Sequence, residues 1–529
     1  MKSLLPPRSR ILATISGLLL ILACPPFDLF PLGWFALIPL FLALEKPRKK
    51  GFGEGFTAGL VFNTGLLYWL ALNNGTYFLV AAVTMLAAVL ILSISWGVAA
   101  WLFVWLLRAI GRPAWILAPF SWAAFEGWLS HLGELAFPWP LMALTQADYN
   151  PVLQVMEFTG VWGVSFWVVA LNVALFSIWF GKRNDSRYGA FIILILLLLV
   201  PMTARMHAKK YDLVDLPAIK AAVVQGAIPP HEKWIRGFEF SWDAYDSLSR
   251  ASAVSDPELV IWPETSLPVH LLHRSAAAAM ITQLSTDIGA WIILGGSDYT
   301  RIGDVNKPIN SAFLTQPGRG IVDKYGKRFL VPFGERVPFQ KYFPVLGKLN
   351  FGQAEFLRGS RLTIFEVTTE SAVARFPALI CYESVAPWLS REAVLSGANL
   401  LVTISNDAWY GRSSQPSQIA ALSRFRCIET RRAMARASNT GYSMLTDQFG
   451  RDFRKTGLFT RDWESCSLPL CEFETFYVRH GNVFLAIVSI IYGLGLMLAL
   501  IMPAFRGGFR IKPDLNADRD GDRTIDKSE

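Results

Sequence analysis

Charge is what this chain lacks most. Charged residues make up 17% of its 529 positions against 53% hydrophobic ones, where ordinary globular chains carry about 25% charged residues. The deficit falls in the first two hundred residues and again near 480–503. That excludes a wholly soluble protein and leaves a membrane protein with one large polar insert. Cysteine and histidine are scarce too. Five cysteines (Cys24, Cys381, Cys427, Cys466, Cys471) form no CxxC pair, and with six histidines they make no metal-ligand cluster, so no metal site is expected. His231, His270, His273 and His480 share no spacing suited to a triad or a metal. Cys466 and Cys471 could pair in an oxidising compartment or stay free, and both options remain open. The surplus of positive charge, +9, collects where Lys and Arg orient membrane spans, so nucleic-acid binding is not expected.

Long apolar runs are plentiful. They recur at Ile11–Cys24, Pro31–Leu44, Phe56–Leu72, Phe78–Leu107, Ala114–Leu129, Phe158–Phe180, Tyr188–Met202 and Val483–Met502. A helix needs about 20 apolar residues to cross a bilayer, so the first two runs must tilt or borrow flanking residues. Basic clusters decide whether the long fourth run is one span or a hairpin. Lys2, Arg8 and Arg10, then Lys46, Arg48, Lys49 and Lys50, Arg108 and Arg112, Lys182, Arg183 and Arg187, and Arg506, Arg510 and Lys512 all fall on one side if it is a single span. That predicts seven spans over 1–203, an extramembrane domain over 204–480, an eighth span over 481–503 and a cytoplasmic tail over 504–529. The ending LILAC at Cys24 has the form of a lipoprotein signal peptide, but Pro25 and six further spans assign the segment to a membrane helix. The tail is rich in aspartate. Asn516, Asp518, Asp520 and Gly521 echo a calcium loop whose first Asp and twelfth-position Glu are missing, so a disordered tail is expected.

The pattern changes between 218 and 465. Short β-branched runs (Ile219–Val224, Leu259–Trp262, Trp291–Leu294, Val373–Ile380, Leu400–Ile404) alternate with helical stretches (Trp242–Ser252, Ala276–Ile288, Gln415–Ala437). Such alternation predicts an α/β sandwich. Reactive residues sit just past the strand runs, where α/β sheets place their ligand sites. Glu264 lies in WPETSLP, Cys381 ends ARFPALIC, and Asn406 and Asp407 lie in SNDAWYG.

A thiol at a strand-to-turn corner exposes its sulfur beside backbone N–H groups able to hold an oxyanion. Attack needs a thiolate, so a base and a cation must assist it. Glu264 can be the base. Lys327, in KYGKRFLVPFGE, can stabilise the developing negative charge. Taken singly, Cys381 reads as a small core residue, Glu264 as a turn cap, Lys327 as a solvated lysine and Asn406 with Asp407 as turn residues. Cys427, inside FRCIETRRAMAR, reads as core.

Together WPET, KYGKRFLVPFGE, LICYES and SNDAWYG resemble the carbon-nitrogen hydrolase, or nitrilase, superfamily over about 218–465. FPWP at 137–140 and GVWGVSFW at 160–167 extend the resemblance to its membrane branch, the apolipoprotein N-acyltransferases. The resemblance implies a nitrilase-like αββα sandwich inserted between seven N-terminal and one C-terminal transmembrane helices. It also implies a general base at Glu264, an oxyanion-stabilising cation at Lys327 and a nucleophile at Cys381. Glu335 would be a second carboxylate, Tyr382 and Glu383 would shape the site beside the sulfur, and Trp234 would lie near the substrate cleft. At the position where the family carries a histidine after SNDAW(F/Y)G, this chain has Gln418 and then Ile419.

The implied reaction has two halves. Cys381 takes an acyl chain from a phospholipid, typically phosphatidylethanolamine, as a thioester. The α-amino group of a diacylglyceryl-cysteine apolipoprotein then takes it from the enzyme, with no cofactor. A Gram-negative inner membrane, a periplasmic domain, cytoplasmic termini and a monomer go with that reading. Two lipid substrates give the spans a purpose, because drawing an acyl chain into water costs about 0.8 kcal/mol per CH₂. The Phe- and Leu-rich stretch 339–356, with Phe343, Leu346 and Phe351, reads either as a lid dipping into the interface or as a packed loop. The triad alone does not separate an acyltransferase from an amidase that uses water. A transporter is disfavoured, since the spans carry almost no charge.

Overall fold

The computed structural model describes residues 8–45, 51–181, 184–212, 215–340, 342–343, 356–370 and 372–506. All eight apolar runs are helical. The first half contains α1 (Arg8–Ala23), α2 (Ile38–Leu44), α3 (Phe52–Leu67), α4 (Phe78–Ile110), α5 (Ala114–Ser130), the single turns α6 (Asn150–Leu153) and α7 (Met156–Thr159), α8 (Val161–Phe180) and α9 (Asn184–Ala208). Among the described residues five helical stretches are long and apolar enough to cross a membrane: Phe52–Leu72, Phe78–Ile110, Val161–Phe180, Arg187–Ala208 and Val483–Met502. The other three expected spans are shorter. α1 has 16 residues and α5 has 17, and the apolar stretch Phe30–Leu44 is interrupted between its 3₁₀ turn and α2.

The fourth run is one unbroken helix of 33 residues, which excludes the hairpin. No proline interrupts it, and it stops at Gly111, whose φ of 75° ends the helix. α3 packs closely along it. A Cβ on Gly55 would lie 2.6 Å from the Trp96 carbonyl oxygen, so only glycine allows this approach. Ile91 and Ile94 on α4, Leu196 and Leu199 on α9, and Leu494 and Leu498 near the C-terminus stay exposed, as a lipid-facing surface requires.

The polar insert carries β1 (Ala218–Gln225), β2 (Leu259–Ile261), β3 (Trp291–Ile302), β4 (Val305–Gln316), β5 (Gly320–Gly326), β6 (Phe365–Thr368), β7 (Val373–Phe376), β8 (Ala378–Ile380), β9 (Leu400–Ser405), β10 (Ala433–Ser438), β11 (Met444–Thr446), β12 (Asp452–Lys455) and β13 (Asp462–Pro469). Its helices are α10 (Pro230–Ser252), α11 (Ser275–Ile288), α12 (Pro387–Leu395), α13 (Gln415–Thr430) and α14 (Phe476–His480), ahead of the membrane helix α15 (Val483–Arg506). Six strands run β13-β1-β2-β3-β4-β5 and five run β12-β11-β10-β9-β8. β1, β2 and β3 are mutually parallel, as are β8, β9 and β10.

Side-chain alternation builds the layers. Ile219, Ala221 and Val223 meet Val402, Ile404 and Ala435 between the sheets. Ala222 and Val224 face the other way, with Tyr245 of α10 and Ile281 of α11. Beyond the second sheet, Leu401 and Met434 pack with Cys427 of α13. The result is an αββα sandwich. The opposite side of α13, through Ile419, Leu422 and Phe425, joins the core of the membrane half, so the second helix layer is shared by both halves.

Two expected elements differ. Val373–Ile380 is two strands in different sheets, because Pro377 cannot donate to a ladder. The helix expected over Gln415–Ala437 ends at Thr430. Arg431 takes a left-handed φ of 51° and the fully buried run Ala433–Ser438 continues as β10. All five cysteines are free thiols.

Candidate active site

Each motif ends on a strand or turn that aims a side chain into one place. β8 ends at Ile380, and Cys381 opens the following 3₁₀ turn with a φ of 52°. A non-glycine residue in that region is uncommon, and here it marks a strained strand-to-turn corner. Glu383 pins the corner. Its carboxylate accepts from the Tyr325 hydroxyl (2.8 Å), from the N–H groups of Arg328 (2.7 Å) and Phe329 (2.9 Å), and from the Ile380 N–H (2.9 Å). It thereby ties the segment bearing Lys327 to the cysteine. The Tyr382 hydroxyl donates to the Ala136 carbonyl in the membrane half, and its ring stacks on Phe329.

Lys327 Nζ is buried 2.7 Å from Glu335 Oε1 and 3.7 Å from Glu264 Oε1. Glu264 accepts from Asn310 Nδ2 at 2.6 Å and from the Asn406 N–H at 2.9 Å. Glu335 accepts from the Val331 N–H at 2.9 Å. Both carboxylates are therefore fixed by donors as well as by the ammonium. The WPET turn leans on β3: Gly295 N–H donates to the Pro263 carbonyl, and a Cβ on Gly295 would lie 2.6 Å from Glu264 Cα.

One cation faces two carboxylates here, so a thiolate would add negative charge to a site that already has a surplus. Burial pushes the Cys381 thiol well up, the Glu264 charge adds to this, and Lys327 and a hydrogen bond from Ser405 oppose it. Burial also raises Glu264, partly offset by Lys327. For Lys327, burial disfavours the charge, but Glu335, Glu264 and Cys381 outweigh it and hold the ammonium above its ordinary value. The resting arrangement is thus a neutral thiol beside a base and a cation. Such a group can lose its proton to Glu264 as it attacks a carbonyl, with Lys327 beside the charge that develops.

Cys381 and Tyr382 also line an apolar cavity of about 310 Å³. Its walls come from α4 (Val83, Ala87, Ile91), α5 (Phe125, Leu129), Trp69 and Trp139. Val83 and Ile91 are 52% and 59% exposed, so the cavity reaches the lipid-facing side of α4.

Cys381, Glu264, Lys327, Glu335, Tyr382 and Glu383 are thus brought together. Trp234 is 59% exposed and does not line the cavity. Phe343 is 61% exposed, while Leu346 and Phe351 lie outside the described residues. Sequence reasoning missed Asn310, a lone asparagine in β4 without a motif, and it missed the part played by Gln418. The Gln418 carboxamide oxygen accepts from Trp69 Nε1 (3.1 Å) and Trp139 Nε1 (2.8 Å), and its nitrogen donates to the Leu66 carbonyl. It joins α13 to the membrane half. Asp407 pairs with Arg436 at 3.0 Å, both fully buried, and so holds β9 to β10. Among the described residues no cluster of three or more His, Cys, Asp or Glu is arranged to hold a metal.

Residues 16–174 match the apolipoprotein N-acyltransferase N-terminal domain and residues 220–464 match the carbon-nitrogen hydrolase family. The apolipoprotein N-acyltransferase of Geobacter metallireducens is 34% identical over 490 residues, covering 91% of this chain and 93% of that one. That of Chlorobaculum tepidum is 30% identical over 527 residues, covering 93% and 96%. Among solved structures, an amidase from a Nesterenkonia species aligns at 17% identity and a TM-score of 0.37, covering 52% of this chain and 98% of that one. With both domain matches in order and full-length relatives at this identity, the chain belongs to the apolipoprotein N-acyltransferase family.

Proposed function

We propose that this enzyme N-acylates bacterial lipoproteins through a Cys381 thioester, with phosphatidylethanolamine as the acyl donor. Glu264 removes the thiol proton as Sγ attacks the donor ester, and Lys327, held by Glu335, stabilises the tetrahedral oxyanion. Collapse expels the lysophospholipid alkoxide, which takes the proton back from Glu264. The α-amino group of the diacylglyceryl-cysteine then attacks the thioester, Glu264 accepts its proton, and the thiol is restored. This is ping-pong covalent catalysis.

The observation that carries the reading is the cavity that joins Cys381 to the lipid-facing side of α4. A soluble amide has no need of an apolar passage through membrane helices, whereas an acyl chain does. We place the donor chain there, entering beside α4, and the headgroup at the bilayer surface. Eight crossings, with the sandwich periplasmic and both termini cytoplasmic in the inner membrane of a Gram-negative bacterium, account for the basic clusters falling on one side. The protein acts as a monomer, with Trp234 contacting substrate from the aqueous side. Phe343, Leu346 and Phe351 act as an interfacial lid. Their replacement by serine lowers lipid turnover and leaves alkylation of Cys381 intact, and unchanged turnover removes the lid.

The test of the function is transfer itself. Purified enzyme with phosphatidylethanolamine and a diacylated lipopeptide yields an N-acylated peptide. Release of free fatty acid alone makes the protein a hydrolase.

A further inference from the structure

Lys233 is fully buried, yet the mechanism above does not use it. It lies in the first turn of α10, ahead of Gly237, where a φ of 80° breaks the helix and sets that turn apart from the rest. Its Nζ donates to the Thr265 carbonyl at 2.6 Å. Thr265 follows Glu264 directly and has a φ of 47°, a conformation that a β-branched residue rarely adopts unless its surroundings impose it. The same turn is pressed onto β3, with Ser266 N–H donating to the Gly295 carbonyl. Lys233 ties the same turn to α10.

We infer that Lys233 is a positioning residue for the acyl-transfer site: it holds the left-handed Thr265 turn that aims Glu264 and, from beyond ion-pair distance, adds a further positive charge to that of Lys327. The inference rests on Glu264 acting as the base. The groups that face Glu264 are Lys327 and Glu335 from the segment after β5, Asn310 from β4, the Asn406 N–H after β9, Cys381 after β8, and Lys233 from α10. Lys233, beyond ion-pair distance of both carboxylates, thus offsets part of the negative surplus they leave over Lys327, which helps a buried base stay ionised. Burial pushes Lys233 down to about 8, and Glu264 pulls it back up. Its charge is accordingly present throughout the acid limb of the reaction, where Glu264 takes up its proton.

Charge and geometry separate by mutation. Removing the cation raises Glu264, so the acid limb of Cys381 acylation in K233M moves to higher pH by about one unit, and the rate at neutral pH falls about tenfold or more. K233R keeps the charge and returns the limb to its wild-type position. In K233M/T265G, glycine accepts the left-handed turn without the tie, so amplitude recovers while the limb stays displaced. These rates are read by mass spectrometry of the acyl-enzyme in full-length protein reconstituted with phosphatidylethanolamine vesicles. The double variant also serves if K233M alone fails to accumulate. A lower amplitude with an unmoved limb in K233M, or an unmoved limb in the double variant, overturns the inference and leaves Glu264 as the base. Full acylation by E264Q overturns the reading beneath it.

Discussion

Two buried charge clusters lie where the membrane half meets the sandwich, and they are built differently. In one, Arg431 donates through Nε to Glu157 Oε2 (2.7 Å) and through Nη1 to Gln154 (2.6 Å), while His207 Nε2 stands 2.9 Å from Glu157 Oε1. One cation meets one carboxylate, and α7 and α9 are tied to the end of α13. In the other, Lys327 meets two carboxylates beside a thiol, on the wall of a cavity. The first is matched and closed. The second carries surplus negative charge and opens onto the cavity through Cys381. Structural pairs cancel, whereas reactive sites keep groups that compete for a proton.

Breaking each cluster should have opposite consequences. Glu264→Gln removes the proposed base and should lower acyl transfer by about 10²- to 10⁴-fold, with the melting temperature unchanged or raised, since active sites trade stability for reactivity. Transfer assays paired with thermal unfolding in detergent check this. Arg431→Met leaves Glu157 buried without its cation and should cost about 3–5 kcal/mol of stability, while the folded fraction keeps its turnover per molecule. A loss of turnover beyond the loss of folded protein would end the distinction.

The cavity gives the next largest effect. Ala87→Trp fills it from α4 and should cut turnover of long-chain phospholipid about tenfold through a raised KM, leaving alkylation of Cys381 by iodoacetamide unchanged. The smallest effect is in pH. Because burial raises Glu264, the proposed base is ionised only above that raised value. Activity should therefore fall, as pH drops, at a pH above the ordinary carboxylate range. A limb at the ordinary carboxylate value would mean that Glu264 is solvated or is not the base.

Much of this was legible in the sequence. Cys381, Glu264, Lys327 and Glu335 sit in three of the four linked motifs, and strand-plus-corner is a local pattern that sequence carries. The one-span reading of Phe78–Leu107 follows from charge placement alone. Other features were not legible, because they exist only through tertiary contact. Asn310 has no neighbours that mark it, Lys233 beside Trp234 and Gln418 after SNDAWYG have partners that only tertiary contact sets, and the cavity is the space left between α4, α5 and the cysteine turn. Pro377 and Arg431 redirect the chain through backbone geometry, where apolar composition read on past them. The number of spans resists reading for a different reason. α1 and α5 fall short of the length a crossing needs, so periodicity and length give no decision there.

The most direct test is the acyl-enzyme. Intact enzyme incubated with phosphatidylethanolamine, in the absence of acceptor, should gain the mass of one acyl chain. Peptide mapping should place it on Cys381, Cys381→Ser should lack it, and a diacylated lipopeptide should discharge it with formation of an N-acyl product. An adduct on another residue, or transfer that persists in Cys381→Ser, would contradict the account.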